Sequence, residues 1–340
     1  MITSRQFAEM IGVSQSAVSR ALNDGPSISN ETRDYIRRKA EEYGFVLNSH
    51  AKSLRTNKTA TVGVLFPLHF DSLSRNLMFT NIYDHLQREL IQRDYDIMVI
   101  YDYKGSSGAN AFERIVKSRK VDGIINFRSK LLPREVSLIE NYHIPFVSLH
   151  SARQDNPNLH QLMIDKRSAG DQAAAFFTSF SLDRYLYLSA DTNGVNASQR
   201  LSGYRDGLLS RGCQLPPEHI LSCSLSMASA RETILQQKDL LSQGQTGIFV
   251  YNDMLALGVV NALHLLGISV PEQVQIIGMD DIPMATWMLP ELSTLHSPVS
   301  QMVRDGCDLL FDMIDGKALK PQSILYPPRL ILRDTTRPLP

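Results

Sequence analysis

The sequence contains three cysteines and no long apolar run, and these absences exclude several classes of protein. Cys213, Cys223 and Cys307 are too few and too widely spaced for a disulfide framework or a zinc motif, as is typical of a reducing compartment. No charged leader followed by an apolar segment stands at the N-terminus, and no apolar run approaches the length needed to span a bilayer. We therefore expect a cytoplasmic protein.

Signatures of catalysis are missing as well. The chain has no phosphate loop, no glycine-rich dinucleotide turn, no nucleophile elbow and no pair of residues with zinc-ligand spacing. We expect a protein that is not an enzyme and that holds no cofactor or metal.

The chain also has no overall excess of charge, because 35 basic residues balance 35 acidic ones. The distribution is uneven, however: residues 1–60 contain nine basic and six acidic side chains, so the remainder is slightly acidic. A basic N-terminal end is what phosphate binding by that end requires. The length of 340 residues and a hydrophobic content of 43% allow two or three compact units.

The most informative stretch is residues 12–20, GVSQSAVSR, which is typical of the turn and second helix of a helix-turn-helix. Thr3 is a candidate cap for a first helix, Gly12 tolerates the positive φ of a tight turn, and Ser14 can cap the second helix. Ser29 can cap a third helix from about residue 31 to residue 43. These spacings predict a small all-α DNA-binding head.

The second helix of this motif has an apolar side and a polar side. Arginine can bond guanine and glutamine can bond adenine through two hydrogen bonds each, whereas serine reaches bases or phosphates. The alternative is an ordinary solvated helix face. The residues that we expect to contact DNA are Thr3, Ser14, Gln15, Ser16, Ser19, Arg20 and Asn23.

Beyond these residues the sequence resembles the lac repressor and galactose repressor family of bacterial regulators. The resemblance rests on the block FAEMIGVSQSAVSRALNDGPSISNETRDYIRRKAEEYGF, on AKSLRTNKTATVGVLFP, and on the later segments QRLSGY, VYNDMLALG, IIGMDDIP, LSTLHSPVSQM and LILRDTT. It implies an N-terminal helix-turn-helix joined to a ligand-sensing core that is similar to periplasmic sugar-binding proteins.

Residues 47–60 predict a hinge segment, because they are polar and carry Lys52 and Arg55 with no acid. The resemblance implies that this segment becomes a helix on operator DNA, pairs with its dimer mate in the minor groove and inserts Leu54 between base steps. The alternative is a flexible linker whose leucine packs on the core. Leu47 stands where family members often have proline.

From residue 61 onward, short apolar strands alternate with amphipathic helices, which predicts parallel sheets with right-handed crossovers. We expect an α/β core of two doubly wound lobes over residues 61–340, after a head at 1–46 and a hinge at 47–60. The resemblance assigns about 61–162 and 293–322 to the N-lobe, and about 163–292 and 323–340 to the C-lobe. The predicted strands are residues 62–66, 96–101, 121–126, 146–149, 185–189, 247–251 and 274–279.

Ligands of such sheets bind beyond the carboxyl ends of the strands, where Arg200, Asn252 and Asp280 are expected. A guanidinium, an amide and a carboxylate can together bind vicinal hydroxyls. The resemblance assigns sugar contacts to these three residues and to Asn196. The alternative is that Asn252 and Asp280 only cap loops or helices.

Other candidates for the ligand site follow other strands. Trp287 can stack on a sugar, although a single tryptophan is as well explained by packing or by an interface. His150 stands where the family often has an acid or amide, and Lys166 stands where asparagine is usual, so the identity of the ligand is open. Arg128, His150 and Arg200 would allow a phosphorylated or otherwise acidic ligand, although solvated surface roles explain Arg128 and His150 equally well. The remaining candidates are His69, Asp71 and Arg128.

These features predict a ligand-responsive DNA-binding transcriptional regulator, a repressor of carbohydrate-utilisation genes that acts as a homodimer and leaves its operator when a sugar or sugar derivative binds. One alternative is a regulator that uses a purine or another small metabolite as corepressor. Another is a ligand-binding receptor without a DNA function. An α/β enzyme with an accessory head is a third alternative, which the cleft residues do not favour.

Overall fold

A computed structural model describes residues 2–23, 25–46, 58–66, 77–100, 110–128, 131–150, 156, 158–190 and 195–340. Within this part of the chain, three helices form the head at residues 2–46, and two α/β lobes form the core. The predicted fold class is thereby confirmed. None of the helices described is long and apolar enough to span a bilayer.

The head begins with α1 (Ser4–Met10), α2 (Gln15–Leu22) and α3 (Asn30–Glu42). Each predicted cap is confirmed: the side chains of Thr3, Ser14 and Ser29 accept hydrogen bonds from backbone amides in the first turns of the three helices. Gly12 has a φ of 73° in the turn. The local sequence therefore determines where each helix starts.

The three helices of the head enclose a small apolar core. Phe7 of α1 stacks on Phe45 with 4.1 Å between ring centroids. Val18 of α2 and Ile36 of α3 are completely buried beside them. This packing holds α2 with its polar side toward solvent.

The N-lobe contains a six-stranded parallel sheet and helices on both of its faces. Its sheet order is β11-β5-β4-β3-β1-β2. Its elements are β1 (Thr61–Leu65), α4 (Leu77–Ile91), β2 (Asp96–Ile100), α5 (Ala111–Lys117), β3 (Gly123–Asn126), α6 (Pro133–Tyr142), β4 (Phe146–Leu149), β5 (His160–Ile164), α12 (Val299–Ile314) and β11 (Ser323–Tyr326).

The C-lobe repeats this plan with the sheet order β12-β10-β9-β8-β6-β7, in which only β12 is antiparallel. Its elements are α7 (Lys166–Phe177), β6 (Arg184–Ala190), α8 (Val195–Ser210), β7 (Ile220–Cys223), α9 (Met227–Leu235), α10 (Lys238–Leu241), β8 (Thr246–Val250), α11 (Asp253–Leu266), β9 (Val274–Asp280), β10 (Ser293–His296) and β12 (Arg329–Ile331). Its central strands β8 and β9 are buried along their whole length, as strands covered on both faces must be.

The chain passes between the lobes after β5, between β10 and α12, and between β11 and β12. Two of the expected positions at which the chain crosses between the lobes need correction. Strand β10 belongs to the C-lobe because it pairs with β9, and β11 belongs to the N-lobe because it pairs with β5. The approximate boundaries implied by the resemblance placed both in the opposite lobes, and strands of four residues give little local indication of the sheet that they join.

Candidate functional site

The exposed end of α2 is the candidate nucleic-acid interface. Gln15 and Ser16 are exposed in its first turn. Ser14 accepts a hydrogen bond of 3.1 Å from the amide of Ala17, and its hydroxyl lies 3.0 Å from that of Ser16. A helix N-terminus with exposed amides and hydroxyls is well suited to phosphates and base edges.

Arg20 lies one turn further along α2 and is half-buried. Its Nη2 is 3.5 Å from the hydroxyl of Ser16, while its Nε is buried and bonds to no group in the described part of the chain. Gly25 packs against the stem of this side chain, since a Cβ there would be 3.2 Å from Arg20 Cγ. The turn after α2 therefore holds the guanidinium beside Ser16.

Thr3 and Asn23 have structural roles at helix ends. The Thr3 amide and hydroxyl both donate to Gln6 Oε1 at 2.9 Å, which forms a capping box. Asn23 donates through Nδ2 to the carbonyl of Ser19 at 2.8 Å. DNA contacts by these residues and by Ser19 remain predictions. The candidates Lys52, Leu54, Arg55, His69 and Asp71 lie outside the described residues.

Between the lobes, Arg200 of α8 and Asp280 at the end of β9 form the centre of the candidate effector cleft. Their exposed fractions are only 2% and 5%. Arg200 donates through Nη1 to the carbonyl of Tyr251 at 2.6 Å and stacks on the Tyr251 ring at 4.2 Å. Arg200 Nε and Asp280 Oδ1 are buried without a partner among the described residues. The cleft thus presents an unused donor and an unused acceptor.

Electrostatics links these two residues to each other and to Lys166. Burial raises the pKa of Asp280 to about 6, while the positive charges of Arg200 and Lys166 oppose the rise. Asp280 also has a φ of 114°, a conformation that is rare for a residue with a side chain and is often found at binding sites. The prediction that Arg200 and Asp280 converge agrees with this arrangement.

Lys166 is the residue that sequence reasoning left out of the site. It begins α7, is 2% exposed, and donates through Nζ to the backbone carbonyl of His150 at 3.2 Å. Burial and the nearby Arg200 charge lower its pKa to about 7, although Asp280 opposes this change. The only signal in the sequence was a lysine where the family has asparagine.

His150, which follows β4, is buried in the same place. Burial and the charges of Lys166 and Arg200 hold its pKa well below 6.5, so the ring is neutral near pH 7. Its Nδ1 bonds to none of the described groups, and its ring meets the edge of Phe79 at 6.3 Å. The cleft thus contains four buried polar side chains, namely His150 from the N-lobe and Lys166, Arg200 and Asp280 from the C-lobe.

Two amides lie at the C-lobe side of the cleft. Asn252 is buried and caps α11, since its Oδ1 accepts from the amide of Leu255 at 3.0 Å. Its Oδ1 therefore has the capping role that the alternative interpretation expects. A contact between Asn252 and the ligand remains a prediction. Asn196, in the first turn of α8, is half-buried, and its Oδ1 lacks a partner within the described ranges.

Asp253, the first residue of α11, was not among the predicted site residues. Its side chain stabilises the backbone next to Asp280. It accepts hydrogen bonds from Thr294 Oγ1 at 2.6 Å and from the amide of Ile282 at 3.0 Å. Gly278 packs so closely against this carboxylate that a Cβ there would collide with it. These contacts tie β10 and the loop after Asp280 to the start of α11.

Arg128 does not supply free positive charge to the cleft. Its Nη1 donates to Glu135 Oε1 at 3.1 Å, and both side chains are buried. Glu135 also accepts from the amide of Leu132 at 2.8 Å at the start of α6. The charge of Arg128 is therefore balanced within the N-lobe, which the sequence spacing did not indicate.

Trp287 lies outside the cleft, so its predicted ligand contact needs correction. The chain leaves β9 through a 3-10 turn at Pro283–Thr286 that carries Trp287 onto the outer surface, where it is 74% exposed. It borders a groove with Met227 and Leu289 that contains none of the four charged or titratable cleft residues. Its position fits the alternative of an interface.

Comparisons with known proteins agree with this architecture. The family profile described as a periplasmic binding protein-like domain matches residues 174–336. The chain is 26% identical over 337 residues to the HTH-type transcriptional regulator AscG of Escherichia coli (strain K12), which covers 98% of each chain. It is 27% identical over 343 residues to the probable HTH-type transcriptional repressor ExuR of Bacillus subtilis (strain 168), covering 100% of this chain and 99% of ExuR.

Solved structures share the same fold. The lac repressor dimer bound to operator and the anti-inducer ONPF matches with a TM-score of 0.81 and 21% identity, over 98% of this chain and 99% of that one. The complex of the transcriptional regulator CelR with cellobiose matches with a TM-score of 0.70 and 22% identity, over the same shares. The curated relatives are regulators and not enzymes, as the sequence predicted. With its helix-turn-helix head and two-lobed core, this chain is similar from end to end to HTH-type transcriptional regulators, and it shares the fold of the lac repressor.

Proposed function

We propose that this protein is a homodimeric repressor that binds a pseudo-palindromic operator and leaves it when a sugar or sugar derivative occupies the cleft. The observation that carries the proposal is the convergence of buried Arg200 and Asp280, each with an unused polar atom, in a chain that also has a helix-turn-helix head. Buried polar atoms without partners are costly unless a ligand bonds them. A regulator that responds to a ligand has this combination of parts.

On the DNA side, Gln15, Ser16 and Arg20 are the base-reading candidates because they lie on the exposed side of α2. The second helix of such a motif enters the major groove with its N-terminal residues toward the bases. In the hinge segment, Leu54 is proposed as a minor-groove wedge, with Lys52 and Arg55 bound to phosphates. Operator DNA is cytoplasmic in bacteria, so we place the protein there.

On the effector side, Asp280 Oδ1 and Asn196 Oδ1 can accept hydrogen bonds, and Arg200 Nε can donate one. Alternating acceptors and a donor match the adjacent hydroxyls of a sugar. The cellobiose complex of CelR supports a carbohydrate ligand. A purine is less well supported, because a purine requires an aromatic slot, whereas the described cleft residues offer several convergent polar groups.

The dimer would form in part through the outer surface of the C-lobe. Trp287 is 74% and Leu289 89% exposed, and Met227 lies in the same groove. Large exposed apolar groups in one patch are typical of protein interfaces. A second copy of this chain is the proposed occupant, because a symmetric operator requires two heads and the lac repressor structure is a dimer.

Release from the operator would follow from coupling between the lobes and the dimer. The effector must bind one lobe arrangement more tightly than the other, and it then weakens operator binding by the factor by which the operator weakens effector binding. The Lys166 bond to His150 joins the two lobes, so a ligand beside it is able to sense their arrangement.

Selection of duplexes from a random pool by the full-length protein tests the proposal. We expect an inverted repeat to emerge, and we expect Gln15→Ala to change the selected bases without reducing dimerisation. Sugars added to the selected complex should lower its fluorescence anisotropy. Enrichment of no sequence over random DNA would contradict the DNA half, and insensitivity to all sugars would contradict the effector half.

A further inference from the structure

In the described part of the cleft, the fully buried side chains include more cations than carboxylates. Lys166 and Arg200 contribute two positive charges, and Asp280 contributes one negative charge. His150 is neutral near pH 7, and Arg128 is neutralised by Glu135. Among the residues that the structure describes, the fully buried charged groups of the cleft are therefore two cations and one carboxylate. Asp165 also lies near Lys166, but it is half-exposed and is used as the cap of α7 through its bond of 2.9 Å from the amide of Ser168.

Lys166 is the buried cation whose hydrogen-bonding capacity is least used among the described residues. Its Nζ has one hydrogen bond among the described residues, to the His150 carbonyl, and an ammonium group has three N–H donors. Burial and the Arg200 charge lower the pKa of Lys166 to about 7, since Asp280 and Asp165 offset only part of the cost of burying the ammonium group. An anionic group on a ligand would supply the missing acceptor.

The unused atoms also indicate how such a ligand is oriented. Lys166 and Arg200 have unused donors, and Asp280 and Asn196 have unused acceptors. The unpartnered Nδ1 of the neutral His150 ring can serve as either. Donors of this kind bind a carboxylate through charge-assisted bonds, and acceptors bind hydroxyls. A carboxylate carries one negative charge at neutral pH, whereas a phosphate monoester carries more than one and costs more to bury.

Building on the proposed function, we infer that the effector is a sugar acid whose carboxylate is bound by Lys166 and Arg200 and whose hydroxyls are bound by Asp280 and Asn196. Lys166 is then the specificity-determining residue, because a neutral sugar brings no negative charge to its ammonium group. The asparagine that is usual at this position in the family has no such requirement.

Calorimetric titration of the full-length protein with matched pairs tests this inference. The pairs are D-galacturonate with D-galactose, and D-glucuronate and D-gluconate with D-glucose; glucose 6-phosphate and adenine complete the panel. We expect at least one acid to bind about tenfold to a hundredfold more tightly than its neutral counterpart, the range for one charged hydrogen bond. Lys166→Asn should remove that preference by weakening only the acid.

Controls separate specificity from stability. Lys320→Asn changes an exposed lysine and should bind every ligand as the wild type does. Operator affinity and melting temperature, measured on each variant, report folding. If Lys166→Asn has a lowered melting temperature, Lys166→Met replaces it, because methionine preserves the aliphatic stem. The ratio of the wild-type affinities for an acid and for its neutral counterpart tests the inference without any variant.

Several outcomes would overturn the inference. Equal affinity for acid and neutral sugar, with Lys166→Asn unchanged, would refute the sugar acid and leave the proposed sugar-responsive repressor intact. Tighter binding of glucose 6-phosphate than of any acid would refute the carboxylate. Binding of adenine alone would refute the sugar acid and the effector class of the proposed function together, while operator binding would still test the DNA half.

Discussion

Lys166 and His150 belong to different lobes, and the Nζ of Lys166 donates a hydrogen bond of 3.2 Å to the backbone carbonyl of His150. A buried ammonium group thus lies where the lobes meet. Its environment changes whenever the lobes move apart or a ligand enters, because both events alter its hydrogen bonds and its solvation. In the mechanism that we propose, this contact couples effector binding to the conformation of the core.

Arg20→Ala should weaken binding to the selected operator by about 1–3 kcal/mol, the contribution of a two-bond contact to guanine, and should affect nonspecific DNA less. Fluorescence anisotropy on selected and scrambled duplexes measures both. Arg205→Ala, an exposed arginine on α8 of the C-lobe, is the matched control and should bind as the wild type. Equal losses on both duplexes would make Arg20 a phosphate contact.

Leu54→Ala should reduce operator affinity and DNA bending while leaving effector binding unchanged. An apolar wedge stabilises a kinked site by entering between two stacked base pairs, and the methyl side chain of alanine is too short to unstack them. Gel shifts with circularly permuted operators report the bend angle. A wild-type angle with wild-type affinity would support the flexible-linker interpretation.

Arg200→Ala and Asp280→Ala should each abolish effector binding and leave operator affinity intact, which gives a repressor that no longer releases. Removal of either charge leaves the other buried charge without its neighbour, at a cost of several kcal/mol in the complex. Calorimetry and operator anisotropy on the same samples measure both properties. Ser198→Ala, an exposed change on the same helix, should behave as the wild type.

If both cleft variants bind the effector with wild-type affinity, the effector must bind elsewhere. His69 and Asp71 would then become the first residues to test, since they follow β1 in the sequence.

Trp287→Asp should weaken the dimer by about 2 kcal/mol or more, as expected for a large aromatic side chain near the centre of an interface. Sedimentation velocity over a range of concentrations measures the shift from dimer to monomer. The fluorescence of this single tryptophan should also shift to longer wavelength on dilution of the wild type. Leu209→Asp on α8 is the control, and a Trp287 variant that sediments like it would exclude this surface.

Asp253→Asn should destabilise the protein more at pH 5 than at pH 8. Burial, with the nearby Asp280 charge, raises the pKa of Asp253 from 3.8 to about 7. The native state therefore holds a proton that the unfolded state has lost, and the resulting stability is fully present below pH 3.8 and disappears as the pH rises through about 7. This change is roughly 2–3 kcal/mol between pH 5 and 8.

Urea unfolding of wild type and Asp253→Asn at the two pH values measures this difference. Asp239→Asn, an exposed change on α10, should show no such dependence. A pH-independent difference between wild type and Asp253→Asn would mean that the carboxylate is ionised throughout.

The amino-acid sequence determined the head, because its structure depends on short-range contacts. The caps of α1, α2 and α3 join residues three positions apart, and Gly12 forms the turn by itself. The long apolar strands of the core were equally clear, since burial on both faces requires an unbroken apolar run. The short strands β5, β7, β10, β11 and β12 were not predicted as strands, because their pairing depends on distant residues.

In the cleft, the sequence predicted that Arg200 and Asp280 converge, because both follow strands of one parallel sheet. Only the tertiary structure decided the state of the other charges. Arg128 is neutralised because α6 brings Glu135 against it, whereas the N-lobe group that Lys166 bonds among the described residues is an uncharged backbone carbonyl. A charge is free or paired according to what the fold buries beside it, and residues distant in the sequence determine that.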